Sequence, residues 1–132
     1  MTDPTQPVTA PLRVLVVDPD DRIRESLARL LPIGGRCLVV GAAGQPESAL
    51  ALAESIGPDI VMLDSHLAEE CAGQDLIACL RAVDPGVRIV VLSLADTTEP
   101  PGLAGADAYI RKTFRPHELI DAVLNANRTP AT

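Results

Sequence analysis

The stretch Ile60-Val61-Met62-Leu63-Asp64, which follows the turn signal Gly57-Pro58, decides the fold. A short, continuous apolar run of this kind is typical of a strand that is covered on both faces. Such strands belong to parallel sheets, in which a helix usually crosses over between neighbouring strands. Similar runs recur along the chain at Arg13–Val17, Cys37–Val40, Val87–Leu92 and, with a weaker pattern, Ala108–Ile110.

Amphipathic segments separate these runs and predict helices. One begins at Asp20-Asp21, two acidic residues suited to a helix amino terminus, and ends at Leu31 because a proline follows. The other predicted helices are Pro46–Ile56, Gln74–Val83 and Pro116–Asn125. Between the fourth and fifth strands, Pro100-Pro101-Gly102 leaves room for about one helical turn. The order predicts an α/β domain: a doubly wound, five-stranded parallel sheet with helices on both faces and a degenerate fourth helix.

The composition of the 132-residue chain fits one domain with an aliphatic core, since 47% of the residues are hydrophobic and only 2% are aromatic. We expect a disordered leader at 1–11, the folded domain at 12–126, and a tail or the start of a linker at 127–132. The formal net charge of -7 argues against a nucleic-acid-binding surface, which would need clustered Lys and Arg side chains.

The cysteines Cys37, Cys71 and Cys79 lack a CxxC spacing and lie in apolar or alanine-rich stretches. This pattern indicates small buried hydrophobic residues in a reducing compartment. No segment approaches the length of a membrane span, and the amino terminus is polar rather than a secretory signal. We therefore expect a cytoplasmic protein that makes no membrane contact.

Polar residues follow four of the predicted strands, at the point where each strand ends. They are Asp18, Asp64, Ser93 and Lys112. Because the carboxyl ends of parallel strands meet at one edge of the sheet, these side chains should converge there. Carboxylates can hold Mg²⁺ or act as a nucleophile, while hydroxyl and ammonium groups bind phosphoryl oxygens. The combination indicates a phosphoryl-transfer site, although each residue taken alone is an ordinary strand end.

At these residues the chain resembles the receiver domains of two-component response regulators, across residues 12–126. The resemblance rests on Val16-Val17-Asp18, on 58–64, on Val90-Val91-Leu92-Ser93, and on Gly105-Ala106-Asp107-Ala108-Tyr109-Ile110-Arg111-Lys112. Val39-Val40-Gly41-Ala42-Ala43 is similar to the second strand of the branch whose outputs are helix-turn-helix DNA-binding domains. The resemblance implies a flavodoxin-like sheet with strand order 2-1-3-4-5.

The resemblance also implies roles for individual residues. Asp64 matches the phosphoacceptor, and Asp18 matches the first of two acidic residues that hold Mg²⁺ together with the acceptor. Ser93 and Lys112 match the hydroxyl and the ammonium that contact the phosphoryl group. Tyr109 matches an aromatic whose rotamer reports the switch state, although an ordinary strand aromatic would also fit this position.

The implied protein is a phosphoacceptor rather than an enzyme, with at most self-catalysed phosphotransfer and dephosphorylation at Asp64. Its partners would be a sensor histidine kinase or a small phosphodonor, and an output domain or partner protein. The receiver domain itself would not bind nucleic acid.

Pro19 is the first departure from the family pattern, because the second acidic residue is expected at that position. Proline has no side-chain ligand for a metal, so we predict weakened Mg²⁺ affinity. Asp20 or Asp21 could replace the missing ligand, or both could simply be helix amino-terminal acids.

Further departures lie in the loops. The segment Ser65–Gly73 lacks the usual Met-Pro pair and contains His66, which we interpret as a solvated loop residue, and two glutamates, Glu69 and Glu70. Thr113 stands where many receivers have proline, and Phe114 is expected to be a core anchor. The truncated fourth helix removes part of the usual dimerisation face, so a homodimer would need a non-standard face.

Two other functions compete with the phosphoacceptor switch. The first is a pseudo-receiver, which has the same fold but acts as a phosphorylation-independent interaction module. The second is a nucleotide- or flavin-binding domain of the same topology, which would need a phosphate-binding loop after strand one. Asp18-Pro19-Asp20-Asp21 is acidic and argues against that loop.

Overall fold

The computed structural model describes residues 10–68, 76–93, 105–113 and 115–128. The elements of these residues are β1 (Leu12–Val17), α1 (Asp21–Leu30), β2 (Cys37–Ala43), α2 (Pro46–Ile56), β3 (Ile60–Asp64), α3 (Ser65–Ala68), α4 (Leu76–Val83), β4 (Arg88–Ser93), β5 (Ala108–Arg111) and α5 (Pro116–Arg128).

The five strands form one sheet in the order β2-β1-β3-β4-β5, and every neighbouring pair is parallel. The predicted fold class and strand order are therefore confirmed. β3 lies at the centre, where Met62 is in register with Val16 of β1 and with Val90 of β4. All five residues of β3 are buried, as expected of a strand covered on both faces.

Two hydrophobic layers cover the sheet, because successive strand residues point to opposite faces. One layer joins the odd-numbered residues of β1 to α2 and α4: Leu15, Val17, Ala49, Ala53, Val61, Leu63, Leu76, Ile77, Leu80, Ile89 and Val91. The other joins the even-numbered residues of β1 to α1 and α5: Val14, Val16, Leu27, Leu31, Ile60, Met62, Val90, Leu92, Leu119, Val123 and Ala126. Burying each large aliphatic side chain contributes roughly 1.5–3 kcal/mol, so these layers supply the main stabilisation.

The ends of α1 and α2 follow from local chemistry. The Asp20 side chain caps α1 by accepting a hydrogen bond from the Arg22 N–H at 2.9 Å. Pro46 occupies the first turn of α2, where its missing N–H costs nothing. Gly57 ends α2 with a left-handed φ of 63°, a conformation that glycine adopts without strain.

Three elements differ from the predictions by three residues or more, and the first is β2, which continues to Ala43 rather than ending at Val40. The loop expected at Ser65–Gly73 begins with a single helical turn, α3, and His66 is exposed within that turn rather than in irregular structure. The last helix extends to Arg128, beyond the predicted end at Asn125 and beyond residue 126. The leader at 1–9, the pair Glu69 and Glu70, Cys71, the Pro100-Pro101-Gly102 stretch and Phe114 lie outside the described residues.

Cys37 begins β2 and is fully buried in the layer that contains α1 and α5. Burial raises the pKa of its thiol, and the nearby Arg36 charge only partly opposes this. Its environment is that of a buried hydrophobic residue, as predicted. No helix within the described part of the chain is both long and apolar enough to span a bilayer.

Candidate functional site

The four residues singled out at strand ends meet at the carboxyl edge of the sheet. Asp18 directly follows β1, Asp64 ends β3, Ser93 ends β4, and Lys112 directly follows β5. Asp18, Asp64 and Ser93 are buried, which is unusual for polar residues outside a functional or paired arrangement.

Asp18, Asp64 and Lys112 form a compact cluster, which we call the carboxylate pocket. The Lys112 Nζ lies 2.7 Å from Asp18 Oδ2 and 2.7 Å from Asp64 Oδ1. The side chains of Lys112, Asp18 and Asp64 are exposed by only 6%, 1% and 3%. One ammonium thus bridges two buried carboxylates, and the pocket carries a net charge near -1 when all three groups are ionised.

Backbone N–H groups hold the remaining carboxylate oxygens. Asp18 Oδ1 accepts a hydrogen bond from the Asp20 N–H at 2.9 Å. Asp64 Oδ2 accepts hydrogen bonds from the N–H groups of His66 at 3.0 Å and Leu67 at 3.2 Å, both in α3. Each carboxylate is therefore fixed through one oxygen and presents the other to Lys112.

The protonation of Lys112 reflects two opposing effects. Burial alone would lower the pKa of the ammonium, but pairing with Asp18 and Asp64 outweighs it, so the pKa lies above the ordinary value of 10.5. Lys112 is consequently a permanent cation at neutral pH.

Ser93 contributes to the site through its backbone as well as its position. Its carbonyl oxygen accepts a hydrogen bond from the Lys112 N–H at 2.7 Å. This bond ties the end of β4 to the residue that carries the bridging ammonium. Ser93 is also in register with Arg111, the last residue of β5.

Tyr109 lies on β5 in register with Val91 and is half-buried against the layer that contains α2 and α4. It precedes Lys112 by three residues on the same segment. Both interpretations from the sequence, a switch aromatic and a strand aromatic, are compatible with this placement.

Asp20 and Asp21 are exposed at the start of α1, and Asp20 serves as the helix cap described above. Within the described residues, no group of three or more His, Cys, Asp and Glu side chains is arranged to hold a metal. The structure therefore places Asp18 and Asp64 next to each other, whereas Asp20 and Asp21 do not join this pair.

Arg24 was not singled out from the sequence, yet it supports the pocket. Its Nη1 donates a hydrogen bond to the Asp18 carbonyl oxygen at 2.7 Å. Gly44 leaves the space for it, since a Cβ there would lie 2.8 Å from the same Nη1. Only its position one turn into α1 could have suggested this role.

The donor set can be compared with what Mg²⁺ requires. This cation is usually bound by one or two carboxylates and completes its shell with water and substrate oxygens. Asp18 Oδ2 is buried and lacks a hydrogen bond of regular geometry, although Lys112 Nζ faces it at 2.7 Å. The two adjacent carboxylates fit a divalent cation by their chemistry, with Lys112 in contact with both.

Residues 14–124 match the family described as response regulator receiver domain. The chain is similar to the nitrate/nitrite response regulator protein NarL of Escherichia coli strain K12, with 31% identity over 119 residues, covering 88% of this chain and 55% of NarL. It is also similar to YxjL of Bacillus subtilis strain 168, described as an uncharacterized transcriptional regulatory protein, with 32% identity over 123 residues, covering 91% and 56%.

A solved structure, the signal receiver domain of the response regulator NarL from Mycobacterium tuberculosis, matches with a TM-score of 0.74 and 26% identity. The match covers 92% of this chain and 100% of that chain. These relatives belong to the branch that the second strand indicated. The chain spans about half the length of the curated relatives it matches.

Proposed function

This chain belongs to the response regulator receiver domain family, and we propose that it works as a switch that accepts a phosphoryl group on Asp64. Receiver domains are phosphoacceptors of two-component signalling rather than conventional enzymes. The assignment to Asp64 rests on two sets of contacts of its carboxylate. Backbone N–H groups of α3 donate hydrogen bonds to one oxygen, and the Lys112 ammonium contacts the other.

The geometry of Asp64 suits a nucleophile. Oδ2 is held by the N–H groups at the start of α3, while Oδ1 faces Lys112 and Asp18. We assign Oδ1 as the oxygen that attacks the phosphorus of the donor. A new O–P bond forms, and the bond from phosphorus to the donor nitrogen or oxygen breaks, with its electron pair leaving on the donor.

Lys112 would stabilise negative charge both before and after this step. Before transfer it neutralises part of the carboxylate charge, and afterwards it can pair with the phosphoryl oxygens. Receiver domains typically bind Mg²⁺, and in this chain Asp18 and Asp64 would hold it. When bound, the ion neutralises charge on the carboxylates and the incoming phosphoryl oxygens.

Ser93 and Tyr109 would transmit the change. Phosphorylation adds roughly -1.5 to -2 charges at pH 7, at an edge where the polar side chains are buried. Ser93 at the end of β4 could bind the added oxygens, and Tyr109 on the adjacent β5 could then change its packing. We assign both residues to the switch on this basis.

The biological setting follows from the family. The partner of a response regulator is a histidine kinase, and small phosphodonors such as acetyl phosphate are an alternative source. We further propose a receiver domain at 12–126, a cytoplasmic location, and an output domain or separate protein that reads the switched surface. Such a surface could include an open depression of about 860 Å³ along β5 and α5.

A phosphorylation-independent pseudo-receiver is the second candidate. Pro19 removes one expected metal ligand, and Lys112 already closes the pocket over Asp18 and Asp64. A domain fixed in this state could serve as a constant interaction module.

Intact-protein mass spectrometry after incubation with acetyl phosphate and MgCl₂ separates the two candidates. We expect the mass of one phosphoryl group on the wild type and none on Asp64→Asn. The matched control is Asp121→Asn, which changes an exposed aspartate of α5 and should be phosphorylated like the wild type. A wild type without the phosphoryl mass, or an unchanged gain in Asp64→Asn, would reject the switch. An acetyl adduct on an amine differs in mass and would not be confused with it.

A further inference from the structure

The sheet ends on one side in β2, an edge strand. β2 pairs with β1, and no strand of the described sheet lies on its other side. It is the longest of the five strands, with seven residues, whereas β5 at the opposite edge has four residues and ends at the exposed Arg111. The outward N–H and C=O groups of β2 therefore form a template on which another strand can pair.

The sequence of β2 does little to prevent such pairing. Proteins usually protect an edge strand with charged side chains or proline, and Cys37–Ala43 contains neither. Its protection is limited to a bulge at Val40, which has no partner in register on β1. Leu38 is exposed by 47% and is one of three exposed large hydrophobic residues in the described part of the chain. Its exposure at the sheet edge indicates an interaction surface.

The helix surface beside β2 is uncharged as well. A Cβ on Gly41 would lie 3.1 Å from Ile56 Cδ1 and 3.7 Å from Leu52 Cδ1, which places this side of α2 over β2. Ser48 and Ser55 share this side by helical spacing and are exposed. The whole chain has a formal net charge of -7, so two copies repel each other over most of their surfaces. The neutral β2 edge is where a second copy meets little repulsion.

We propose that two copies of this chain associate through their β2 strands, antiparallel and related by a two-fold axis, to form one continuous sheet. Cys37 and Val39 pack in the layer that contains α1 and α5, whereas Leu38 and Gly41 lie on the side of α2. Opposed side chains of an antiparallel pair share a face. The register that opposes Leu38 with Gly41 of the other copy meets this condition and pairs nearly the whole strand, and the leucine then covers the glycine.

The charges at the two ends of β2 favour the antiparallel arrangement. The exposed Arg36 precedes the strand, and the exposed Glu47 lies in the first turn of α2, which follows it. In this register Arg36 opposes Ala43 of the other copy, close to the start of that copy's α2. Opposite charges therefore meet at both ends, whereas parallel strands would bring the two Arg36 side chains together.

Sedimentation velocity at protein concentrations from micromolar to millimolar tests the association, without phosphodonor or metal. We expect a dimer that dissociates on dilution. Leu38→Lys should weaken it at least tenfold, because two ammonium groups would be buried in the interface. The matched control is Val83→Lys, which places the same charge on an exposed residue of α4 and should dimerise like the wild type. A monomeric wild type would leave β2 to a strand of another protein and overturn the proposal, as would unchanged association of Leu38→Lys.

Amide hydrogen exchange locates the interface. The amides of Cys37–Ala43 should exchange more slowly at high than at low protein concentration, with no such difference in α5. If Leu38→Lys does not fold by circular dichroism, Ala42→Lys, at another exposed position of β2, replaces it with the same expected loss. A dimer whose β2 amides gain no protection would reject the proposed interface.

A charge exchange tests the orientation of the strands. Arg36→Glu should weaken the dimer at least threefold, and Glu47→Arg in the same chain should restore it to within twofold of the wild type. A double variant that stays as weak as Arg36→Glu would exclude the antiparallel arrangement. The carboxylate pocket takes no part in this interface, so these results and the phosphorylation of Asp64 can succeed or fail separately.

Discussion

Asp107 binds Ile89 twice: its N–H donates to the Ile89 carbonyl oxygen at 2.8 Å, and its Oδ2 accepts from the Ile89 N–H at 2.7 Å. Arg81 of α4 contacts the same Oδ2 at 3.0 Å and donates to the Gly105 carbonyl oxygen. The cluster lies one residue before the first β4–β5 register pair, Val90 with Ala108. It therefore fixes the start of the edge strand that leads to Lys112.

Asp107→Ala should lower the free energy of unfolding by ~2–3 kcal/mol, because it leaves the Ile89 N–H and the Arg81 guanidinium without this partner. Urea unfolding followed by circular dichroism measures the loss. The control is Glu118→Gln, which removes an exposed pair with Arg115 at 3.7 Å and should cost less than about 0.5 kcal/mol. Equal losses in the two variants would contradict the role given to Asp107.

Much of the fold could be predicted because its signals are local. α2 has the predicted bounds, since Pro46 marks its start and Gly57 its end. The strand runs were recognisable because both faces of the sheet are covered, so nearly every strand residue is apolar. α3 was missed because four residues carry no helical periodicity, and its first N–H groups are satisfied by the Asp64 side chain.

The sequence predicted which residues form the site, but not how their side chains contact one another. Strand ends placed Asp18, Asp64, Ser93 and Lys112 at one edge, but sequence spacing could not indicate that one ammonium bridges both carboxylates. The outward position of Asp20 depends on a turn in which its own N–H binds Asp18. This contact is an Asx turn, for which Asp18-Pro19-Asp20 is a local signal, but the signal does not by itself indicate that the Asp20 side chain caps α1.

Lys112→Met should lower the free energy of unfolding in metal-free buffer by ~3–5 kcal/mol, the usual effect of breaking a buried ion pair. The double variant with Asp18→Asn should lose less than the sum of the two single changes, since it removes the carboxylate that Lys112→Met leaves unpaired. Urea unfolding of the four proteins in a double-mutant cycle gives the coupling. Additive losses would mean that the 2.7 Å contact contributes no stabilisation.

Gly44→Ala should lower the free energy of unfolding by ~1 kcal/mol, because its Cβ would displace the Arg24 guanidinium and weaken one hydrogen bond to a backbone oxygen. Arg24→Met should lose a similar amount. In the Arg24→Met background the alanine should cost much less, since the displaced group is gone. A full additional loss in the double variant would indicate that Gly44 matters for another reason.

Alkaline pH should weaken the fold through Lys112. Because the folded-state pKa lies above 10.5, the ammonium contributes its full stabilisation below pH 10.5, and this stabilisation is lost as the pH rises through the higher folded-state value. Lys112→Arg keeps its charge throughout this range, so its stability should decline less between pH 10 and 12. Tyrosine phenols in general ionise at about pH 10, so both proteins are compared in a common Tyr109→Phe background. Urea unfolding at intervals of half a pH unit measures both curves, and parallel decline in the lysine and arginine proteins would exclude Lys112 as the source.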